Sequence, residues 1–515
     1  MHTKNRKAKC LSILGTGSDV GKSIVVTALC RIFSNMGIRV VPYKAQNMSN
    51  NSCVTGEGRE IGRAQIVQAQ AARLESTVDM NPVLLKPCSD TGSQIVLHGK
   101  PAGNCLASNY LSNREFLFNK ALESLDRLRD AYELVVMEGA GSCAEVNLRK
   151  GDIVNFRMAH ASDAPVILVA DIDRGGVFAQ IIGTLHVIPE EDLQRVKGFI
   201  INRFRGDAGL FKEGIRFIEE KTRLPVLGLV PYYRDIEIDS EDGVTLEAVT
   251  DPLDGPVNDR LNIACLRLPH ISNFTDFNAL VREDIVNFQY LSKPRSLNQY
   301  DLLILPGTKN VRGDMNWLRE SGWLKEIVNY KHTHKPILGI CGGYQILGKT
   351  IDDPCGVEGD PGSTEGLGFL EVTTTLTETK VTTRTTGEWL GMKATQVRGY
   401  EIHMGLTRSV GKGKPVMQLK SRNREAMDRL EGWQTEDEKI QGVYLHGLFD
   451  EPAFRKEYLK KVNPRFGHEL NRAGKSESAE YLRDLQYEKL AQHFLNHVDI
   501  QKIRDIVWNG QPDTY

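Results

Sequence analysis

Short apolar runs recur along the first half of the chain, and longer stretches of mixed polarity separate them. Each run is rich in β-branched residues, as is typical of strands buried on both faces, and the separating stretches are long enough for helices. The runs are Leu11–Leu14, Ile38–Val41, Leu134–Met137, Val166–Val169, Phe199–Ile201 and Val226–Val230. This pattern predicts a parallel sheet that is covered by helices on both faces.

The apolar runs stop between about Asp239 and Asn262, where an acidic stretch with two prolines and two glycines replaces them. A second series of widely spaced runs then predicts a second α/β domain: Ile263–Leu268, Leu302–Leu305, Ile337–Ile340 and Val443–Leu445. We therefore expect two doubly wound α/β domains at 1–240 and 261–455, joined by a linker at 241–260 and followed by a helical extension at 456–515.

Two further segments have a readable pattern. The threonine-rich stretch Val372–Gly387 alternates as a strand does, and we interpret it as a peripheral hairpin. Near the end of the chain, five apolar residues fall close to helical spacing and predict a helix face that packs against the rest of the protein. They are Tyr481, Leu485, Leu490, Phe494 and Val498.

Charge and composition limit the kinds of molecule that the protein is expected to bind. The 515 residues include 65 basic and 66 acidic side chains, so no overall field attracts nucleic acid or an anionic membrane. The nine cysteines lack C-x-x-C pairs, which indicates reduced thiols and a cytoplasmic protein. No signal peptide and no apolar stretch of roughly 20 residues is visible. We expect small-molecule substrates, with no nucleic acid or membrane partner, and leave the oligomeric state open.

A phosphate-binding loop follows the first predicted strand. The sequence GTGSDVGKS places Gly21, Lys22 and Ser23 where a helix should begin, so backbone N–H groups and Lys22 can bind phosphates while Ser23 holds Mg²⁺. The strict pattern has glycine where this chain has Thr16. The loop therefore predicts binding of ATP and Mg²⁺ through Thr16, Gly21, Lys22 and Ser23.

This deviant loop resembles that of the dethiobiotin synthetases, which convert a carboxylate to an acyl phosphate with ATP. The resemblance implies that Lys44, in YKAQNMSNNS, contacts a phosphate, although a surface lysine is the alternative. Glu138 ends a predicted strand and is a candidate Mg²⁺ ligand. Asp171 ends another, and Asn202 lies where an amide could read adenine; both could equally be structural.

The segment KPILGICGGYQILG carries the second candidate site. A buried strand leads into Cys341, and glycines at 339, 342 and 343 surround it before an apolar helix. A sharp strand-to-helix turn presents a nucleophile and needs small neighbours, and the helix N-terminus favours the thiolate. A cysteine here could otherwise be a small buried apolar residue.

A base and an oxyanion hole can be matched to this cysteine. His446 follows a predicted strand in GVYLHGLFD, and an imidazole is the base that a cysteine nucleophile needs. The strand before Pro306 ends in a turn, so the N–H groups of Gly307, Thr308 and Gly342 could form the oxyanion hole.

Cys341, His446 and this turn resemble the class I glutamine amidotransferase domain. Most such domains carry a glutamate two residues after the histidine, but this chain has Leu448 there. Either a Cys–His dyad suffices or another acid orients His446, and nearby Asp450 is the acid to test. His403 could contribute to the site or could be a structural histidine.

From the phosphate loop to YLHGLFD the chain resembles the cobyric acid synthase family. The resemblance implies amidation of the b, d, e and g carboxylates of adenosylcobyrinic acid a,c-diamide, with ATP and glutamine. The segments YKAQNMSNNS and Met80–Gly103 favour this family over the a,c-diamide synthases, which are the nearest alternative. A partition-type ATPase switch is the alternative outside catalysis, and Cys341 with His446 argues against it.

Overall fold

The computed structural model describes residues 7–87, 92–239, 255–392, 395–472 and 478–509, without the side chains of 104–112 and 471–472. Residue 240, most of the predicted linker (241–254) and residues 88–91 of the Met80–Gly103 segment lie outside these residues.

The first domain is built on a six-stranded sheet whose strands are all parallel. In spatial order the strands are Val226–Pro231, Val196–Phe204, Val166–Asp171, Lys9–Gly15, Leu134–Glu138 and Val40–Tyr43. Its helices are Lys22–Asn35, Arg63–Ala71, Ala107–Ala131, Phe156–Ser162, Val177–Val187, Glu190–Leu193 and Lys212–Thr222. All six predicted runs overlap strands of this sheet, although the run Ile38–Val41 begins two residues before the strand Val40–Tyr43. Apolar clusters cover both faces of the sheet.

A small set of strands is inserted between the strands Val40–Tyr43 and Leu134–Glu138 of this sheet. One four-stranded sheet and one two-stranded ribbon form it, and together they face the second domain. The strands are Gln46–Met48, Val83–Pro87, Gly92–Leu97 and Lys100–Leu106 in the sheet, and Ser52–Val54 with Glu60–Gly62 in the ribbon. The YKAQNMSNNS segment therefore runs from the first sheet towards the second domain.

The second domain has its own six-stranded sheet, in which only the edge strand is antiparallel. The order is Val286–Leu291, Leu261–Leu266, Leu302–Leu305, Ile337–Ile340, Ile440–Val443 and Trp433–Gln434. The helices are Asn278–Val281, Val311–Glu320, Trp323–Lys331 and Gly342–Leu347. The predicted strand at Val443–Leu445 lies three residues too late, because after Val443 the chain pairs with Tyr400 instead.

The threonine-rich segment is not a peripheral hairpin. Val372–Trp389 is one long strand that pairs with Thr395–Ser409, and this pair passes beside Cys341. The same sheet contains Thr350–Asp353, Gly362–Glu365, Met417–Arg422 and Glu425–Glu431. Alternation along the segment identified the strand, but its partner lies beyond the segment, so its place in the fold was missed.

Four helices end the described chain. Pro452–Val462 and Gly467–Arg472 pack on the second domain, whereas Ala479–Leu495 and Ile500–Trp508 return to the first. Leu490, Phe494 and Val498 are buried against the first sheet as predicted, but Tyr481 and Leu485 are 55% and 40% exposed and do not belong to this face. Within the described residues, no helix is both long and apolar enough to cross a membrane.

Candidate active site

Cys341 occupies a strained turn between the strand Ile337–Ile340 and the helix Gly342–Leu347. Its φ of 53° and ψ of −108° lie in a region that a non-glycine residue rarely adopts. The buried thiol donates to the carbonyl oxygen of Ile402 at 3.5 Å. Strain of this kind is retained where the surrounding packing enforces it, and it marks functional positions.

The glycines around this turn are required by close packing. A Cβ atom on Gly343 would lie 2.0 Å from the carbonyl oxygen of Leu305, because the turn presses against the end of the neighbouring strand. A Cβ on Gly342 would lie 2.9 Å from the backbone nitrogen of Thr308. The sequence pattern GICGG therefore brings the helix N-terminus after Cys341 against the Pro306–Thr308 turn.

His446 lies beside Cys341, and an aspartate far away in the sequence holds it. His446 Nδ1 lies 2.6 Å from Asp276 Oδ2, and both side chains are buried. The N–H of Gly447 and the hydroxyl of Tyr400 donate to the other carboxylate oxygen at 3.1 and 3.3 Å. Tyr400 also stacks on the imidazole, with ring centroids 5.2 Å apart. The arrangement joins a thiol, an imidazole and an acid.

The electrostatics of this group favour a charged imidazole. Burial by itself would lower the pKa of His446, but the charges of Asp276 and Cys341, with hydrogen bonds to both, raise that pKa to about 10. A protonated ring beside the sulfur favours the thiolate, which is the nucleophilic form of cysteine.

The sequence did not point to Asp276. Asp450, the acid that the sequence suggested, pairs instead with Arg483 of the helix Ala479–Leu495, with the Arg483 Nη1 atom 3.0 Å from the carboxylate. Leu448, where other class I domains have glutamate, is buried. Asp276 follows the strand Leu261–Leu266 by a loop without a motif, so no local signal pointed to it.

The predicted oxyanion turn lies against the catalytic pair. A Cβ on Gly307 would be 3.2 Å from Cε1 of His446, so this glycine contacts the imidazole edge. The hydroxyl of Thr308 bonds to buried Asp314, which also accepts from His270 at 2.7 Å. Gly307, Thr308 and Gly342 thus lie next to the Cys341–His446 pair, and their role as an oxyanion hole stays a prediction.

His403 lines the same small cavity as Cys341. It stacks on Tyr444 with ring centroids 3.7 Å apart. Burial lowers the pKa of His403 to about 4, against the opposing charge of Glu401, so its ring is neutral near pH 7. Asp276 bonds to His446 and not to His403. His403 is therefore not part of the thiol–imidazole–acid group.

The phosphate loop adopts the expected strand–loop–helix form. Lys22 Nζ donates to the carbonyl oxygens of Gly17 and Gly141 at 3.2 and 2.8 Å. Gly21 has φ 95°, and a Cβ there would lie 2.1 Å from Nδ2 of Asn202. Thr16 differs from Gly21 and Lys22 in that it bonds to the sheet: its N–H and its hydroxyl both donate to the carbonyl oxygen of Val169 in the adjacent strand.

Glu138 forms hydrogen bonds with three polar side chains next to the phosphate loop. Its Oε1 accepts from the hydroxyl of Ser23 at 2.9 Å and from Lys44 Nζ at 2.8 Å, and its Oε2 accepts from Gln68 at 2.5 Å. The carboxylate is buried at the carboxyl end of its strand. Lys44 is thus buried in the site and is not a surface lysine, and Gln68 is a member that the sequence did not reveal.

Asn202 and Asp171 lie at the same edge of the sheet. Asn202 Nδ2 donates to the carbonyl oxygen of Val20 at 3.0 Å, whereas its buried Oδ1 has no partner among the described residues. Asp171 accepts from Arg203 at 2.8 Å and from the N–H of Asp173 at 2.7 Å. An unpaired amide oxygen suits an amino donor, while Asp171 is already paired.

Buried ion pairs cross the boundary between the two domains beside Cys341. Glu60 of the first domain accepts from Lys86 at 2.7 Å and from Lys380 of the second domain at 2.5 Å. Lys86 and Lys380 line the small cavity next to Cys341. The inserted strands of the first domain and the strand Val372–Trp389 of the second therefore meet through a buried polar interface.

Known families match both halves of the chain. Residues 11–246 match the CobQ/CobB/MinD/ParA nucleotide binding domain, and residues 262–454 match the CobB/CobQ-like glutamine amidotransferase domain. The cobyric acid synthase of Chlorobium phaeobacteroides (strain BS1) is 52% identical over 97% of this chain and 99% of its own length. That of Chlorobaculum tepidum is 50% identical over 96% and 97%. This chain belongs to the cobyric acid synthase family.

Membership in the cobyric acid synthase family confirms the predicted fold class and the prediction of a glutamine-hydrolysing ligase. Among solved structures, PurLQS from Thermotoga maritima is 17% identical, covers 44% of this chain and 99% of its own, and has a TM-score of 0.29. The chain is an enzyme with a nucleotide-binding domain and a glutamine amidotransferase domain. The residue roles stay predictions, and the domain boundaries do too.

Proposed function

We propose that this enzyme amidates the b, d, e and g carboxylates of adenosylcobyrinic acid a,c-diamide, using ATP and glutamine. The observation that carries the proposal is the Cys341–His446–Asp276 group, which lies in the same chain as a phosphate loop and in a domain that packs on the loop's domain through buried ion pairs. The near full-length similarity to cobyric acid synthases supports the substrate. The partition-type switch has no use for a nucleophilic thiol with a buried base.

In the glutaminase reaction, the Cys341 thiolate attacks the side-chain amide carbon of glutamine. The oxyanion receives hydrogen bonds from backbone N–H groups at Gly342 and Thr308. The C–N bond breaks as the His446 imidazolium donates its proton to the nitrogen, which gives ammonia and a glutamyl thioester. His446, now neutral, accepts a proton from water, whose oxygen attacks the thioester and releases glutamate. Asp276 stabilises the charged imidazole.

In the synthetase reaction, a corrinoid carboxylate oxygen attacks the γ-phosphate of ATP and forms an acyl phosphate and ADP. Ammonia then attacks the acyl carbon and expels phosphate, which leaves the amide. Lys22 and the loop N–H groups bind the phosphates, and we assign Lys44 a phosphate contact as well. Asn202 Oδ1 would accept from the amino group of adenine, because this buried oxygen lacks a protein partner.

The residues around Glu138 fit a magnesium ion. The Ser23 hydroxyl and the Glu138 carboxylate adjoin, and both are oxygen ligands of the kind that Mg²⁺ prefers. The Lys44 ammonium bonds to the same Glu138 oxygen, which shows that this position binds a positive charge. Ser23 and Glu138 would hold Mg²⁺, which neutralises charge on the transferring phosphoryl group.

The direct test is to incubate the purified enzyme with adenosylcobyrinic acid a,c-diamide, ATP, Mg²⁺ and glutamine. Each amide replaces an oxygen by NH and removes one carboxylate, so mass spectrometry and ion-exchange chromatography should show four successive products. Cobyrinic acid without the a and c amides serves as the comparison substrate. Amidation of that compound at its a and c positions, with no reaction of the a,c-diamide, would assign the a,c-diamide synthase activity instead.

The role of Asp276 gives a prediction with a pH signature. Asp276→Asn should lower kcat for glutamine hydrolysis by about 10²- to 10³-fold, because the amide cannot stabilise the charged imidazole. Since Asp276 raises the pKa of His446, its loss should also move the alkaline limb of the pH profile to lower pH, where the imidazolium is lost earlier. Steady-state hydrolysis between pH 6 and 10 measures both.

Asp450→Asn is the matched control, because it removes a second aspartate from the same region and disturbs only the pair with Arg483. We expect its glutaminase rate to stay within about twofold of the parent. A large loss in Asp450→Asn with little change in Asp276→Asn would reverse the assignment of the acid.

Asn202 should determine the preference of the enzyme for ATP over GTP. Asn202→Ala should raise the KM for ATP by about tenfold and remove the preference for ATP over GTP, because the acceptor for the adenine amino group is lost. Asn202→Asp keeps that acceptor oxygen while losing the bond to Val20, so it should retain the preference. Corrinoid amidation with each nucleotide measures the ratio, and an unaltered ratio in Asn202→Ala would refute the adenine contact.

A further inference from the structure

Asn273 spans the boundary between the two domains with its side-chain amide. Its Oδ1 accepts a hydrogen bond from the N–H of Ser52 at 3.0 Å, and its Nδ2 lies 3.5 Å from Nε2 of His446. The residue is buried, with a left-handed backbone at φ 53°, three positions before Asp276. One amide group therefore contacts the first domain at one end and the imidazole at the other.

The hydrogen-bonding roles fix the direction of this amide. A backbone N–H can only donate, so the oxygen of Asn273 faces Ser52 and its NH₂ group faces His446. In the neutral ring, Nδ1 of His446 carries the proton that faces Asp276, and Nε2 is an acceptor. The Asn273 amide can bond only to this neutral form, so it opposes the charged ring that Asp276 and Cys341 favour. Nε2 is also the atom that must take the proton of the Cys341 thiol. Asn273 thus competes with the thiol for one lone pair.

Ser52 belongs to a segment that begins in the ATP site. Eight residues earlier, Lys44 bonds to Glu138, and the chain then passes through the strand Gln46–Met48. The buried hydroxyl of Ser52 accepts from Lys86 at 2.7 Å and donates to Glu60 at 2.8 Å. A short, hydrogen-bonded stretch therefore links Lys44 to the N–H that anchors Asn273.

We propose that Asn273 is a positioning residue that restrains Nε2 of His446 and slows thiol activation until the synthetase site is loaded. Binding of ATP and corrinoid draws Lys44 from Glu138 to a phosphate, moves Ser52 and releases the amide from the ring. The inference rests on the proposed function, because it needs ATP at Lys44. Its consequence is that glutamine is not hydrolysed wastefully.

The test is Asn273→Gly, which removes the amide while a glycine adopts the left-handed backbone without strain. Without ATP and corrinoid, kcat for glutamine hydrolysis should rise about three- to tenfold, the range that one weak hydrogen bond corresponds to, with KM for glutamine unchanged. The stimulation by ATP and corrinoid should fall towards one. Ammonia-dependent amidation by the same variant, which does not use His446, shows that the protein is folded.

Thr275→Val is the matched control, because the Thr275 hydroxyl makes another bond across the same boundary, to Asn51 Oδ1 at 3.3 Å, without touching His446. Its unstimulated rate should equal that of the parent. A slower or unchanged Asn273→Gly enzyme, or an equal rise in Thr275→Val, overturns the inference. A parent enzyme that amidates but is not stimulated also overturns it and leaves the proposed function intact, whereas a parent that does not amidate at all refutes the proposed function.

Discussion

Cys341→Ala is expected to reduce glutamine-dependent amidation by at least about 10⁴-fold while leaving ammonia-dependent amidation near the parental rate. The thiol is the nucleophile in the glutaminase reaction, and no neighbouring group can replace it. The synthetase site needs only free ammonia, so a high concentration of ammonium chloride at alkaline pH should bypass the defect. Corrinoid amidation with each nitrogen donor in parallel measures this separation.

Cys355→Ala is a suitable control for this substitution, because Cys355 is an exposed thiol in the same domain. It should behave as the parent does with both donors. Equal loss of activity with glutamine and with ammonia in Cys341→Ala would mean that the thiol serves the synthetase reaction or the fold, and the division of labour between the domains would be wrong.

Lys22→Ala is expected to lower amidation by about 10³-fold or more with either nitrogen donor. Its ammonium is the charge that the loop brings to the phosphates, and its two carbonyl partners at Gly17 and Gly141 hold it at the mouth of the loop. Glutamine hydrolysis in the absence of ATP should persist, because thioester chemistry consumes no nucleotide. Glutamate release and corrinoid amidation, measured together, distinguish the two effects.

Lys150→Ala provides the comparison, since Lys150 is an exposed lysine of the same domain. Its amidation rate should be unchanged. Retention of ammonia-dependent amidation by Lys22→Ala would show that the phosphate loop is not the activating site.

The sequence predicted those parts of the two sites that lie within one strand–turn–helix unit. The phosphate loop and the Cys341 turn are local, because glycine spacing, strand and helix follow one another within about a dozen residues. His446 could be matched because it too follows a strand of the second sheet. Such units have the same geometry wherever they occur, so their residues can be assigned before the fold is known.

The missed residues are those that only the tertiary fold brings together. Asp276 and His446 are 170 positions apart, and the Asp276 loop has an ordinary composition. Gln68 lies on a helix whose polar residues point inward, which periodicity alone does not reveal. The partner of the strand Val372–Trp389 lies after it, so alternation could not show that the pair reaches Cys341.

The position of the last helices has a consequence for biosynthesis. Residues 479–508 cover a face of the first sheet, where Phe494 and Ile503 pack with Leu11 and Ile13, yet they are translated after the whole second domain. During elongation, about 250 further residues leave the ribosome, at roughly 5–20 per second, after the nucleotide-binding domain has been made. Part of the apolar face of that domain stays uncovered during this time. The first domain made is thus the last to be completed, and a nascent chain stalled after residue 462 would carry an exposed apolar surface of the kind that chaperones bind.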